Sequence, residues 1–259
     1  MKLKNRVAIV TGGSQGIGRA IALAFAREGA LLCLSARSRD KLDLVADEIR
    51  QTGAAALAVR ADVTREEDVS VMVRRVVEHF GTIDILVNNA GIAGPTAPIH
   101  EVEADRWRSV IDTNLNGLFL CTKHVLPIMI AKRSGNILNL GSIGGVYAYP
   151  LRTPYNASKW AVAGVTQTIA AEVGPHNIRC NCISPGPVQG ERFWNVIKAK
   201  ADALGKTFEE MKQWWEDQVP LRRFVTEEEV SRAALFLVSD ESSAITGQQV
   251  CVSGGMEVM

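Results

Sequence analysis

The segment Tyr155-Asn156-Ala157-Ser158-Lys159 holds the residue types and spacing with the clearest capacity for chemistry. On a helix, residues four apart lie one turn above each other, about 6 Å apart along the axis. An ammonium so placed stabilises the ionised phenol, because opposite charge nearby favours the charged form. Free tyrosine titrates at about 10, too high for a proton acceptor near neutrality. The lysine brings it toward a range where it can give a proton to a substrate oxygen, or take one from it. Taken alone, Tyr-x-x-x-Lys also occurs on ordinary surface helices, so its meaning depends on what else the chain brings to it.

A second chemical segment stands near the amino terminus, where Val7-Ala8-Ile9-Val10 runs into Thr11-Gly12-Gly13-Ser14-Gln15-Gly16-Ile17-Gly18 and an apolar helical pattern follows. Glycine lets the backbone turn sharply and approach a pyrophosphate closely. The helix behind it offers unpaired amides and the positive end of its dipole. An ordinary tight strand–helix connection can contain the same glycines. The position between the first strand and first helix of a βαβ unit is the context of a dinucleotide site. Gly12, Ser14, Gln15, Gly16, Ile17 and Gly18 are therefore expected to contact a nicotinamide dinucleotide. The second strand ends in Leu34-Ser35-Ala36-Arg37-Ser38, with no carboxylate for a ribose 2′-hydroxyl. Arg37 supplies a fork of donors suited to a 2′-phosphate, which favours NADP(H) over NAD. The plainer alternative is that it stacks on the adenine or faces solvent. Asp62, after the third strand, is placed to meet the adenine amino group, with Val63 beside it.

These segments need a scaffold, and the chain supplies one by alternation. Short apolar runs at Val7 to Val10, Leu31 to Ala36, Ala54 to Val59, Ile83 to Val87, Asn136 to Leu140, Ile178 to Ile183 and Gln248 to Val252 alternate with helical patterns. Among these patterns are one long helix from about Asp105 to Ala131, one from Thr153 to Val173 and one near Glu227 to Val238. Strands apolar on both faces and separated by helices predict a parallel sheet covered on both sides. Right-handed crossovers make it doubly wound. The expected architecture is an α/β, Rossmann-type seven-stranded sheet in a single domain over residues 1–259. A helical insertion, residues 187–225, interrupts it just past the sixth strand, on the edge where open α/β sheets bind ligands.

Composition narrows the class. The 259 residues are 47% hydrophobic and 22% charged, the balance of a well-folded globular protein. A formal net charge of +1, from 29 basic and 28 acidic residues, gives no whole-molecule field for nucleic acid or an anionic membrane. The 5 cysteines include no Cys-x-x-Cys pair, and Cys180 and Cys182 fall on one face of a strand as small buried thiols. A reducing compartment fits better than a disulfide scaffold. The apolar run behind the basic amino terminus is too short for a signal peptide, so the expected location is cytoplasmic. The 4 histidines show no ligand spacing with each other or with cysteine, and no metal site is expected.

With these segments in order, the chain resembles the short-chain dehydrogenase/reductase family over nearly its whole length. The family's glycine-rich turn matches Thr11 to Gly18, its Asn-Asn-Ala-Gly matches Asn88-Asn89-Ala90-Gly91, and its Pro-Gly matches Pro185-Gly186. Its active-site Asn, Ser, Tyr and Lys match Asn114, Ser142, Tyr155 and Lys159. The resemblance implies that Ser142 polarises the substrate oxygen, Tyr155 gives or takes the proton, and Lys159 also holds the nicotinamide ribose. Asn114 would anchor a water in a proton relay from Lys159. Hydride would pass directly between the nicotinamide and a carbonyl or carbinol carbon. Asn89, Ala90, Gly91, Pro185, Gly186 and Val188 join the expected cofactor contacts. The resemblance also implies a homotetramer.

Several readings stay open. The insertion aromatics Phe193, Trp194, Phe208, Trp214 and Trp215, with Met211, could form an apolar lid over substrate or pack against the body or a neighbouring subunit. Arg152 could pair an anionic substrate group, but a loop arginine is more often solvated and is left out of the expected site. The leading function is an NADP(H)-dependent carbonyl reductase or alcohol dehydrogenase acting on a small molecule. The alternatives are an NAD-dependent sugar or polyol dehydrogenase, a 3-oxoacyl-thioester reductase, and a catalytically silent NADP-sensing protein. Arg37→Asp is expected to move the ratio of kcat/KM for NADPH over NADH toward NADH. An unchanged ratio would remove Arg37 from the phosphate site.

Overall fold

The structure, a computed structural model, describes residues 1–258. Its strands are β1 (Val7–Thr11), β2 (Leu31–Ala36), β3 (Ala56–Arg60), β4 (Ile85–Asn88), β5 (Gly135–Leu140), β6 (Ile178–Pro185) and β7 (Gln249–Val252). They form one 7-stranded sheet in the order β3-β2-β1-β4-β5-β6-β7, and every pairing is parallel. The strand order reverses between β1 and β4, opening a crevice at the carboxyl edge of the sheet.

The alternation of side chains explains why both faces must be covered. From β1, Ala8 and Val10 enter one apolar cluster while Val7 and Ile9 enter the other. On β2, Leu32 and Leu34 face the first cluster and Cys33 the second. Such β-branched and apolar runs suit a strand buried on both sides. On the first face lie α1 (Gly16–Arg27), α2 (Arg39–Gln51) and α9 (Glu227–Val238), supplying Phe25, Ile49 and Leu237. On the second lie α3 (Glu66–Phe80), α5 (Gly117–Lys132) and α6 (Thr153–Val173), supplying Met72, Val125 and Val173. Each fully buried large aliphatic or Phe side chain contributes about 1.5–3 kcal/mol by leaving water.

Three sequence expectations are corrected. The third strand begins at Ala56 rather than Ala54, and the fourth runs Ile85–Asn88 rather than from Ile83. The long helix expected from Asp105 to Ala131 is two helices, α4 (Ala104–Ile111) and α5, joined by a π-helical turn at Asp112–Asn116. Apolar periodicity runs through such a turn without announcing it, and π-turns are typical of functional positions in helices. The insertion contains two helices, α7 (Glu191–Leu204) and α8 (Phe208–Asp217). Thr207 and Glu210 form a reciprocal capping box that starts α8 anew.

Behind the crevice, a buried polar chain ties the site-bearing elements together. Asn88 Nδ2 of β4 donates to Thr122 Oγ1 of α5 at 3.1 Å and to Asn139 Oδ1 of β5 at 2.9 Å. Asn139 Nδ2 donates in turn to Thr166 Oγ1 of α6 at 3.0 Å. Connected amides in a low-dielectric interior fix one arrangement and are costly to leave half-made. Asn139→Ala is therefore expected to lower unfolding free energy by about 2–3 kcal/mol in urea titration. A change below about 0.5 kcal/mol would show the chain to be incidental.

Candidate active site

The chemical segments surround a cavity of about 980 Å³, most of them at carboxyl ends of strands and Tyr155 to Lys159 on α6. The glycine-rich turn follows β1, Arg37 follows β2, and Asp62 and Val63 follow β3. Asn89 to Gly91 follow β4, Ser142 follows β5, and Pro185 to Val188 close β6. Of the expected site residues, Gly12, Ser14, Gln15, Gly16, Ile17, Gly18, Arg37, Asp62, Val63, Asn89, Ala90, Gly91, Ser142, Tyr155, Lys159, Pro185, Gly186 and Val188 all line this cavity. Asn114 does not. It is buried behind the wall, 2% exposed.

The turn after β1 is built for close backbone approach. Gly12 has φ +64, and a Cβ there would meet Asn89 Nδ2 at 2.8 Å. A Cβ on Gly18 would meet the Gly12 carbonyl oxygen at 2.4 Å. Asn89 explains the tightness: its Nδ2 donates to the carbonyls of Thr11 and Gly12 at 2.8 and 3.1 Å. The Thr11 hydroxyl accepts from the amides of Asn89 and Ala90 at 3.0 and 3.1 Å. The Asn-Asn-Ala-Gly run thus splits its work, Asn88 facing the core and Asn89 bracing the turn. No side chain caps α1 at Gln15, and its first turn carries no acid. Its leading amides remain available to a pyrophosphate.

At the β2 end, Arg37, Ser38 and Lys41 all line the cavity, and the Lys41 ammonium donates to Gln15 Oε1 at 3.1 Å. The acidic residues in the wall are Asp62, Glu191 and Glu227; Asp62, after the neighbouring β3, is the one at this end, and none belongs to the β2 terminus itself. Asp62 Oδ1 is taken up locally by the Thr64 amide and hydroxyl, at 3.0 and 2.8 Å. The residues present therefore fit a dinucleotide, with a glycine cradle suited to a pyrophosphate and cationic donors, Arg37 and Lys41, past the end of β2.

The proton machinery lies at the other end. Tyr155, half-buried, is the third residue of α6, which Pro154 helps to start. Lys159, one turn on, is buried and donates from Nζ to the Leu140 carbonyl at 2.6 Å, with the ammonium 5.8 Å from the Tyr155 ring centroid. Burial is the strongest influence on the phenol and raises its pKa. Lys159, Arg192, a hydrogen bond from Ser142 and Arg152 together outweigh it and hold the phenol below its ordinary value. Burial also pushes the Lys159 ammonium down, partly opposed by Tyr155. The Ser142 hydroxyl accepts from the Gly144 amide at 3.1 Å, which fixes its direction.

Asn114 occupies the π-turn and clamps two elements from behind. Its Oδ1 accepts from the Ile92 amide at 2.8 Å, and its Nδ2 donates to the Ile92 carbonyl and Ser158 Oγ at 3.1 and 3.0 Å. Ser158 Oγ then donates to the Tyr155 carbonyl at 2.7 Å.

The wall also holds residues absent from the sequence expectation. Arg152 is not solvated but 7% exposed, bound to Thr96 and Ala93, with its guanidinium carbon 5.3 Å from the Tyr155 ring centroid. Its place three residues before Tyr155 was the only sequence signal. Arg192, Lys200, Ser38, Lys41, Thr96 and Tyr149 carried none. Of the insertion aromatics, Phe193 and Trp215 line the cavity. Trp194, Phe208, Met211 and Trp214 pack in an apolar cluster with Ile197 and Phe224. Among the described residues, no group of three His, Cys, Asp or Glu side chains is placed to hold a metal ion, and no helix is long and apolar enough to cross a membrane.

A family model described as enoyl-(acyl carrier protein) reductase matches residues 12–257. The chain is 38% identical to the 3-oxoacyl-(acyl-carrier-protein) reductase FabG of Staphylococcus epidermidis over 97% of its own length and 99% of that protein. It is also 38% identical to FabG of Thermotoga maritima over 100% of both chains. The structure resembles an NAD+-bound xylitol dehydrogenase with TM-score 0.96 and 34% identity, covering 98% of this chain and 100% of that one. It resembles an actinorhodin polyketide ketoreductase variant with NADPH at TM-score 0.94 and 33% identity, covering 98% of each. The chain belongs to the short-chain dehydrogenase/reductase family and is an oxidoreductase acting on carbonyl and alcohol groups.

Proposed function

We propose that the protein is an NADP(H)-dependent carbonyl reductase, or the reverse alcohol dehydrogenase, with Tyr155 as its general acid and base. The observation that carries this reading is the phenol of Tyr155 held below its ordinary pKa between Lys159, Ser142 and two arginines, on the wall of a cavity that also holds a dinucleotide cradle. When bound, the nicotinamide supplies or accepts the hydride. The protein's own residues do the rest. Ser142 donates to the substrate oxygen, and Tyr155 delivers its proton there in reduction or removes it in oxidation. Lys159 holds the phenol's charge and would also hold the nicotinamide ribose when the cofactor is bound. Asn114 is a positioning residue, setting the first turn of α6 through Ser158.

Arg37, Ser38 and Lys41 support NADP(H): all three line the cavity just past β2, and the β2 terminus contributes no carboxylate to the wall. The FabG relatives favour a 3-oxoacyl-thioester as one substrate class, and the xylitol dehydrogenase keeps an NAD-linked alcohol as the second reading. Residues 187–225 act as a lid whose aromatics Phe193 and Trp215 line the cavity, excluding water during transfer. Exposed Phe119 on α5 and Trp160 on α6, at 55% and 53%, support a homotetramer assembled through these helices. Five unpaired thiols suit a cytoplasmic location.

Tyr155→Phe is expected to lower kcat by roughly 10²–10⁴-fold while NADPH still binds, as read by its fluorescence. Turnover undiminished by that change would overturn the reading. In wild type, the rate of alcohol oxidation should rise with pH through an inflection below the ordinary phenol value, because the deprotonated phenol is the base. Lys159→Met should move that inflection upward. An inflection that stays in place would assign the titration to another group.

A further inference from the structure

Three cations crowd the substrate end of the cavity, and no carboxylate pairs with any of them among the described residues. Arg152 is 7% exposed and satisfies two of its donors on neutral acceptors, Thr96 Oγ1 at 3.0 Å and the Ala93 carbonyl at 2.7 Å. Lys200 is also 7% exposed, and its ammonium rests on aromatic faces, 4.3 Å from the Trp214 ring centroid and 5.2 Å from that of Trp215. Arg192 lines the same wall, and its charge reaches Arg152, Tyr155 and Lys159. Arg192 is exposed, but Arg152 and Lys200 are both buried, and burying like charges together is costly unless an anion joins them.

The cluster is also held in place. Leu151 adopts a left-handed conformation, φ +70, unusual for a branched residue. Its carbonyl accepts from the Ala97 amide at 3.0 Å. This turn delivers Arg152 inward against the loop that carries Ala93 and Thr96. Lys200 comes from the inner face of α7, whose Ile197 and Ala201 enter the apolar cluster beneath the insertion. Of the carboxylates in the wall, Asp62 follows β3 and Glu227 has its Oε1 3.6 Å from where a Gly16 Cβ would stand, while Glu191, next to Arg192 at the start of α7, is exposed and forms no ion pair with any of the three cations.

We propose that the substrate is a small molecule bearing an oxyanion, a carboxylate or its sulfonate or phosphonate equivalent, within a few bonds of the reacting carbon, held by Arg152 and Lys200 with Arg192 at the mouth. The distance sets the range. A guanidinium 5.3 Å from the Tyr155 ring leaves room for only a few atoms between the anion and the carbonyl that the phenol protonates. A 3-oxoacyl chain on a carrier protein places no charge so close, since its phosphate lies at the far end of the pantetheine arm. The cations therefore select a short oxo acid or hydroxy acid over a thioester. This inference rests on the oxidoreductase reading above and narrows its substrate.

The test uses the full-length protein with NADPH and three matched sets of probes. These are short 2-oxo and 3-oxo carboxylic acids, their methyl esters together with a 3-oxoacyl N-acetylcysteamine thioester, and the corresponding oxo sulfonates and phosphonates. The expected result is a kcat/KM for the acids above that for the esters and thioester. The acid-to-ester ratio should fall roughly 10- to 100-fold in Lys200→Gln and in Arg152→Gln, the range of a charge-assisted hydrogen bond. Lys200→Arg should retain most of it. The carboxylate and sulfonate or phosphonate arms then identify which oxyanion is preferred. Esters or the thioester turned over as well as the acids, with a ratio unmoved in both variants, would overturn the proposal. So would an equal loss of NADPH affinity in both variants, which would give the cations to the cofactor. If no probe of any charge is turned over with either nicotinamide, the oxidoreductase reading fails instead. Calorimetric titration of malonate into the NADP+-loaded protein then decides the anion site by itself: binding lost in Lys200→Gln supports it, and no binding to wild type sinks it.

Discussion

The ammonium of Lys159 sits where burial penalises it, donating to the Leu140 carbonyl at the end of β5 and lying one helical turn beyond Tyr155. Much of the surrounding architecture serves to keep that arrangement fixed. The strand end must present its last carbonyl inward, and α6 must start close enough to set a phenol and an ammonium on the same face. The Asn88–Asn139–Thr166 chain links that strand to that helix through the core. Electrostatic stabilisation of this kind works in a dry site because the charges need not reorganise when the proton moves.

The two ends of the cavity are specialised in opposite ways. At the β1 end, recognition is by backbone: glycines at Gly12 and Gly18, braced by Asn89, leave bare peptide for a phosphate to approach. At the α7 end, recognition is by side chains carried on an insertion whose aromatics hold one another edge to face, as Trp215 does with Tyr149 and Phe193 at centroid distances of 5.1 and 5.4 Å. Backbone geometry is fixed by the sheet and tolerates little change. Side chains on α7 and α8 can vary without disturbing the strands, which is where differences in substrate among proteins of this fold can be accommodated.

Much of this was legible before any coordinates. Strand–helix alternation foretold the doubly wound sheet, because residues buried on two faces leave an unbroken apolar run. Ser142 came with the family resemblance, while Tyr155, Lys159 and the glycine turn were legible because their chemistry depends on local spacing or on a strand end. Arg152, Arg192 and Lys200 were not, since their meaning arises from convergence of segments distant in sequence. Arg152 in particular reads as an ordinary loop residue until the left-handed Leu151 is known to turn it inward. The break at Asn114 was hidden for a different reason. A π-turn leaves the hydrophobic pattern almost intact while changing which side chains face inward.

That wide turn at Asp112–Asn116 has a mechanical consequence for any redesign of the protein. One residue corresponds to about 100° of rotation about a helix axis, so the extra residue it accommodates sets the angular phase between α4 and α5. Phase in turn decides that Asn114 looks toward Ile92 and Ser158 while Lys132, at the far end of α5, still reaches Asp84 beneath the sheet. A single deletion between residues 112 and 116 would restore a regular helix locally and swing one of those two anchors off its partner. The irregularity is the gearing that lets one rod engage both edges of the sheet.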